Sequence, residues 1–372
     1  MGTVDLSGVW KIYDNHFEAV KNVSAAINDG EFISLLGPSG CGKTSTLRMI
    51  AGLEEISRGE IRIDGIRVNE LEPGDRNIAM AFESYALYPH LTVFENIAYP
   101  LRIRKTPEKE IERQVNTICE SLGIARYKGL RPSSLSGGAQ QRTGLARALV
   151  RPASLYLLDE VLSHLDAGER IMLRGEIRRV QKLMKLTALF VTHDQLEALA
   201  MSDRIIVMND GELQQMGTPE QIYDTPENLF VAGFVGEPAM NTFPVERLRD
   251  DGGNYLRIGG QKLAVKDLHL RSIPDVPTFI LGTRPRHIVL GAPDEPGLVK
   301  GRVHTFEVLG DFTLASIELD SGDLVFKIGD AGLRLALDEP VSFSFDPEKV
   351  IFYDAKTTLR IHEGFSLDRD RA

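Results

Sequence analysis

The chain has 372 residues, room for two domains or three at most. Apolar residues make up 42% and charged residues 26%, a globular composition that excludes a wholly disordered chain. Acids outnumber bases 53 to 43, a net charge of −10, and so acidic a body argues against a nucleic-acid partner, because general binding of that kind needs excess cations to neutralise phosphates. Two cysteines, Cys41 and Cys119, cannot build a disulfide framework and suggest a cytosolic protein. No apolar run approaches the ~18–20 residues that span a bilayer, and residues 1–5 lack the basic-then-apolar pattern of a signal peptide. Any work at a membrane is expected to go through a partner.

The first ~235 residues alternate short apolar runs with helical stretches, the pattern of an α/β domain. Residues 32–36 read as a buried strand, followed by a glycine-rich turn and a helix over 43–51. Residues 78–82, 155–158 and 189–191 are further short buried strands. A long helical insert lies over about 92–150 and includes an amphipathic helix over 108–122; another amphipathic helix covers about 166–184. Beyond Pro238 helical periodicity fades and hairpin signals appear at 250–254, 259–260 and 320–323, with alternating strands over 300–308 and 341–345. These predict an all-β region of small barrels of the oligonucleotide/oligosaccharide-binding (OB) type, ending in a frayed tail at 369–372.

Gly37-Pro38-Ser39-Gly40-Cys41-Gly42-Lys43-Thr44 fits G-x-x-x-x-G-K-[ST] between a predicted strand and a predicted helix. Glycines let backbone N–H groups turn inward around phosphate oxygens, and the helix start favours negative charge. Lys43 is suited to the β and γ phosphates and the Thr44 hydroxyl to Mg²⁺. Cys41 reads as a small packing residue. The motif alone leaves GTPases, small-molecule kinases, helicases and transporters open.

Residues 155–158 lead into Asp159 and Glu160. A strand tip beside the cradle lets Asp159 hold Mg²⁺ and puts Glu160 where it polarises an attacking water, although a strand end capped by solvated acids reads the same way. The strand at 189–191 leads to His193, which would position that water and hydrogen-bond the γ-phosphate; a lone histidine there is more often structural. Leu135-Ser136-Gly137-Gly138-Ala139-Gln140-Gln141-Arg142 opens a helix to about Val150, a second anion-friendly helix start. Two such starts suggest a composite site, with Lys43 of one subunit and Ser136 of another holding one ATP.

With these motifs in order, the chain resembles the ATPase subunits of ATP-binding-cassette (ABC) transporters, and more narrowly those of bacterial sugar importers such as the maltose and glycerol-phosphate systems. The resemblance implies a P-loop α/β ATPase domain over 1–236 with a helical subdomain at about 84–150, and an all-β domain of OB-like (TOBE) barrels over 237–372. It implies ATP and Mg²⁺ as cofactors, with Gly37 to Thr44, Ser45, Tyr13, Glu83, Ser136, Gly137, Gly138 and Asp166 around the nucleotide. Tyr13 would stack on adenine. The resemblance casts Lys43, Glu160 and His193 as catalytic, and Thr44, Glu83 and Asp159 as the metal set. It implies transmembrane permease subunits met through Tyr85–His90 and the helical subdomain, a second ATPase subunit, an extracytoplasmic solute-binding protein acting indirectly, and residence at the cytoplasmic face of the membrane. The stretches 281–287 and 345–350 resemble the paired barrels of such ATPases, expected to serve dimer contact and control by a cytosolic partner; His287, His304 and His362 there read as solvated or structural.

Four positions depart from the family pattern: Glu83 where Gln is usual, Ala139 where the signature carries Gln, Val161 for Pro, and His164 for Asn. Glu83 adds negative charge near Glu160, expected to raise the pKa of one acid and to slow hydrolysis or alter its coupling. The departures raise an alternative, an impaired subunit paired with a typical paralogue; retention of Lys43, Asp159, Glu160 and His193 favours a working homodimer. The solute is a sugar, sugar phosphate or polyol by resemblance, with polyamines, iron and sulfate as alternatives.

Overall fold

The computed structural model describes residues 2–14, 16–163, 165–250, 253–264, 276–292, 295 and 297–362. They form two compact units, Met1–Glu220 and Gln221–Ala372. Of the expectations above, His164, the turn residues Asp251 and Gly252, and the tail lie outside the described residues. Among the described residues no helix is long and apolar enough to cross a membrane.

The first unit is built on two sheets. Strands β1 (Val4–Ile12), β2 (Glu18–Ile27), β4 (Arg58–Ile63) and β5 (Ile66–Arg67) form an antiparallel sheet in the order β2-β1-β4-β5. Strands β3 (Phe32–Leu36), β6 (Ile78–Ala81), β7 (Leu155–Asp159), β8 (Ala188–Thr192), β9 (Arg204–Asn209) and β10 (Glu212–Gly217) form the second, in the order β10-β9-β3-β8-β7-β6. All but the edge strand β10 run parallel. Every residue of β3 and β8 is buried, as strands covered on both faces require. On one face Ile33 and Leu35 pack with α1 (Lys43–Ala51) and the antiparallel sheet. On the other, Phe32 and Phe190 join helices α2 (Val93–Ile103), α3 (Glu108–Ser121), α4 (Gly137–Leu149) and α5 (Ala167–Met184). Helix α6 (Gln195–Met201) follows β8.

The strand expected over 78–82 stops at Ala81, and Phe82 turns to solvent at 40% exposure. The antiparallel sheet formed by β1, β2, β4 and β5 was not anticipated, though Val4 and Leu6 alternate with exposed Asp5 and Ser7 in the pattern of a half-buried strand. Helix α2 begins with a capping box: the Thr92 hydroxyl accepts from the Glu95 amide at 3.2 Å and the Thr92 amide donates to the Glu95 carboxylate at 2.7 Å.

The second unit holds two five-stranded antiparallel sheets. One runs β13 (Gln261–Ala264), β12 (Gly253–Ile258), β11 (Asn241–Asp250), β14 (Thr278–Thr283), β20 (Val350–Tyr353). The other runs β15 (Ile288–Gly291), β19 (Pro340–Phe345), β16 (Val299–Val308), β17 (Phe312–Glu318), β18 (Leu324–Asp330). Phe243, Ile258 and Phe279 of the first share one core with Val303, Ile317 and Phe343 of the second. The hairpin signals at 259–260 and 320–323 fall between the paired strands β12 and β13 and β17 and β18, and the signal at 250–254 overlaps the paired ends of β11 and β12.

Arg284, fully buried, ties this unit together. Its guanidinium donates to the Tyr223 carbonyl at 3.0 and 2.7 Å, to Ala232 at 3.1 Å and to Val235, and lies 4.2 Å from the Tyr223 ring centroid. Gly236, at φ 112°, gives it room: a Cβ there would lie 2.7 Å from the guanidinium. Arg284→Met is expected to leave these carbonyls unpaired and cost about 2–4 kcal/mol, read as a lower thermal midpoint, with Arg284→Lys losing less. An unchanged midpoint in the Met variant contradicts this.

Candidate functional site

The glycine-rich turn joins β3 to α1, as its spacing predicts. Gly42 caps α1 at φ 102°, and a Cβ there would lie 2.3 Å from the Ala19 carbonyl oxygen. A Cβ on Gly37 would lie 2.3 Å from the Met208 carbonyl oxygen and 2.6 Å from Cys41 Sγ. Both glycines are therefore fixed by backbone packing. Lys43 is buried, and its Nζ donates to the carbonyls of Gly37 at 2.8 Å and Pro38 at 2.9 Å. Cys41 is buried beneath it, with Sγ 3.8 Å from Nζ, and burial pushes the thiol pKa up, which suits packing rather than chemistry. Pro38, Ser39, Gly40 and Thr44 face outward to differing extents. The Tyr13 hydroxyl lies 3.1 Å from Ser45 Oγ, which sets its ring at the edge of the cradle. Lys11 Nζ lies 4.8 Å from that ring's centroid and is anchored by Glu54 at 2.9 Å. Sequence reasoning missed Lys11; its place two residues before Tyr13 on β1 was the available signal.

The acids gather at the carboxyl ends of neighbouring parallel strands, where open α/β sheets present their ligands. Asp159 ends β7. Glu160 leaves the strand at φ 45°, its amide donating to the Val191 carbonyl at 3.0 Å and its own carbonyl accepting from Ser163 Oγ at 2.9 Å. His193 Nδ1 lies 3.4 Å from a Glu160 carboxylate oxygen. At Val161 the backbone carbonyl accepts from the Gln141 side chain. Gln141 was another omission: one turn into a helix it reads as an ordinary polar residue, yet it is buried.

Asp159 has its pKa pushed up to about 6, first by burial, then by the negative charges of Glu160 and Glu83, with Arg48 and Lys43 opposing. The raised acid expected from Glu83 is thus Asp159, and burial outweighs Glu83 as its cause. These carboxylates and the outward Thr44 hydroxyl are hard oxygen donors of the type Mg²⁺ takes, but among the described residues the His, Cys, Asp and Glu side chains form no ready-made group of three that could hold a metal ion.

Ser136 and Asp166 belong to a second group. Ser136 Oγ caps α4, accepting from the Ala139 amide at 3.3 Å. Asp166 caps α5, accepting from the Glu169 amide at 2.8 Å. The two helix starts meet where a Cβ on Gly138 would lie 2.6 Å from the Glu169 carboxylate. Gly137 stays exposed beside Ser136, while Ala139 is buried.

Because the native state binds the Asp159 proton more tightly than the unfolded chain, stability falls as pH rises from about 4 through about 6. A shift of this size is worth at most about 3 kcal/mol, and solvent screening reduces it to roughly 1–2 kcal/mol. Without nucleotide or divalent cation, Asp159→Asn is expected to stabilise the chain by that amount at pH 7.5, with the gain fading below pH ~6 and gone near pH ~4. A pH-independent effect, measured by denaturant unfolding, contradicts this.

The ABC transporter family profile matches residues 20–163 and the TOBE domain profile matches residues 281–352. The chain is 41% identical over 369 residues to the oligosaccharides import ATP-binding protein MsmX of Bacillus subtilis (strain 168), covering 97% of this chain and 100% of that one. It is 43% identical over 363 residues to the sn-glycerol-3-phosphate import ATP-binding protein UgpC of Cereibacter sphaeroides, with the same coverage. Among solved structures it is similar to the dimeric post-hydrolysis ATP-binding cassette MJ0796 bound to ADP and Pi, at 30% identity and a TM-score of 0.54 over 58% of this chain and 98% of that one. Phosphate cradle, strand-tip acids and full-length likeness agree: the chain belongs to the ATP-binding, ATP-hydrolysing subunits of ABC transporters.

Proposed function

We propose that the chain is the energy-coupling ATPase of an importer for a sugar, sugar phosphate or polyol, working as two copies that close over two ATP molecules at the cytoplasmic face of the membrane. The carrying observation is the grouping of Asp159, Glu160 and His193 at neighbouring strand tips, with Asp159 within the electrostatic reach of Lys43. Relatives named for the import of oligosaccharides and sn-glycerol-3-phosphate support the solute class. In this reading the ATPase domain covers 1–236, with its helical subdomain at about 84–150, and 237–372 serves dimerisation and control.

The residue roles follow from chemistry. Tyr13 stacks on adenine, and the backbone of 37–45 wraps the phosphates, with Lys43 neutralising charge that grows on them. Glu160 accepts the proton of the attacking water, and His193, its Nδ1 3.4 Å from the Glu160 carboxylate, orients that water toward the γ-phosphate. Ser136, Gly137 and Gly138 of the second copy close the site from the other side, and Asp166 meets it across the same interface. Thr44, Glu83 and Asp159 would hold Mg²⁺, which when bound supplies charge neutralisation at the phosphates. Closure and reopening drive permease subunits through Tyr85–His90 and the helical subdomain.

The purified full chain is expected to hydrolyse ATP with Mg²⁺. Glu160→Gln is expected to cut kcat by about 10²–10⁴-fold while ATP binding persists. Lys43→Ala is expected to abolish ATP binding. Turnover that survives Glu160→Gln overturns the assignment. Glu83→Gln removes one of the charges that raise the Asp159 pKa, so the acid limb of the pH–rate profile is expected to move to lower pH. A limb that stays fixed or moves upward speaks against that placement.

A further inference from the structure

Residues 82–88 carry two successive non-glycine residues in the left-handed region, Tyr85 at φ 58° and Ala86 at φ 47°. A side chain with a Cβ is strained in that region, so the surroundings must hold the loop there. The holder is Arg147, in the last turn of α4. Its guanidinium donates to the Tyr85 carbonyl at 3.0 Å and the Ala86 carbonyl at 2.7 Å, and lies 5.4 Å from the centroid of the Tyr88 ring. Among the described residues it has no carboxylate partner, and its burial disfavours the charged form. The geometry suits a guanidinium: the planar fork reaches two adjacent carbonyls while its face meets a ring.

The same loop lies along α4 for two turns. A Cβ on Gly144 would lie 3.0 Å from the Tyr85 carbonyl oxygen, and one on Gly137 would lie 3.8 Å from the Tyr85 hydroxyl. Tyr85 therefore runs from the middle of α4 to its start, beside Ser136. At the far end of the loop, Asn96 of α2 accepts from the Tyr88 amide at 2.8 Å and donates to the carbonyls of Tyr88 at 3.1 Å, Leu91 at 3.2 Å and Thr92 at 2.9 Å. Gln141 joins α4 to the segment after Glu160.

We propose that Arg147 is a positioning residue that locks the strained Tyr85–Tyr88 loop to α4, so that displacement of the α4 start on nucleotide binding is delivered to the loop as one rigid unit. The inference rests on the ATPase reading above, in which this loop meets the permease. A loop free to relax would absorb that displacement instead of transmitting it.

The test is hydrogen–deuterium exchange on the full chain, with and without ATP, alongside ATP turnover. In Arg147→Met, exchange of the 83–88 amides is expected to rise at least tenfold, and the ATP-dependent change seen there in the wild type to vanish. Exchange over 32–36 and the KM for ATP should stay within twofold. Arg147→Lys keeps the charge without the fork and is expected to recover less than half of the protection; full recovery overturns the geometric argument. Ala86→Gly eases the backbone directly and is expected to raise Tm by about 1–3 °C in the otherwise unchanged chain, so the test survives a misfolded Met variant. A folded Arg147→Met chain with unchanged exchange at 83–88, or an Ala86→Gly chain with no rise in Tm, overturns the clamp. A wild-type chain with no ATP turnover overturns the ATPase reading beneath it, so the two failures are read on separate signals.

Discussion

One buried ammonium organises the first unit. Lys43 satisfies itself on the carbonyls of Gly37 and Pro38, drawing the turn into a ring around its own side chain. At Asp159 it also opposes the effect of the negative charges of Glu160 and Glu83. Without that cation Arg48 would be left to offset the charges of Glu160 and Glu83 at Asp159. The parallel sheet places cradle and acids on one edge, and the burial of β3 and β8 on both faces makes that edge stiff. Charge balance and rigidity together give a site built for a polyphosphate.

Helix α4 carries the consequences outward. Its start is capped by Ser136, its second turn reaches the Glu160–Val161 segment through Gln141, and its last turn grips the loop at Tyr85. A hydrogen-bonded helix has few soft torsions, so a shift at one end becomes a shift at the other. The departures from the family pattern fit this mechanics. Ala139 is buried and its amide already serves the Ser136 cap, so the helix start keeps its geometry without the usual side chain. At Val161 the hydrogen bond from Gln141 holds the backbone where a proline is usual.

Much of this was legible in the residues themselves. The glycine and lysine spacing around 37–44 located the turn, and α1 occupies the predicted 43–51. The apolar runs ending in Asp159 and His193 gave the strand tips because parallel strands buried on both faces read as unbroken hydrophobic stretches. Tyr13 and Asp166 came from family resemblance; nothing local marks a lone tyrosine or a helix cap as part of a nucleotide site. Phe82 was assigned to a strand on hydrophobicity alone, which cannot see that the chain turns it to solvent. Arg147, Asn96 and Gln141 escaped because their roles lie in partners far away in sequence, chosen by packing rather than by spacing. Antiparallel pairing of β1 with β2 and β4 was hidden for the same reason, though its alternation was visible.

The proposed function turns on ATP being shared: cradle from one copy, serine-capped helix start from the other. The most direct measurement is the crystal structure of the full-length Glu160→Gln chain grown with ATP and Mg²⁺. The expected result is a dimer with each triphosphate between Lys43 of one copy and Ser136 of its mate. ATP bound at Lys43 with the mate's Ser136 remote in every nucleotide state would contradict it.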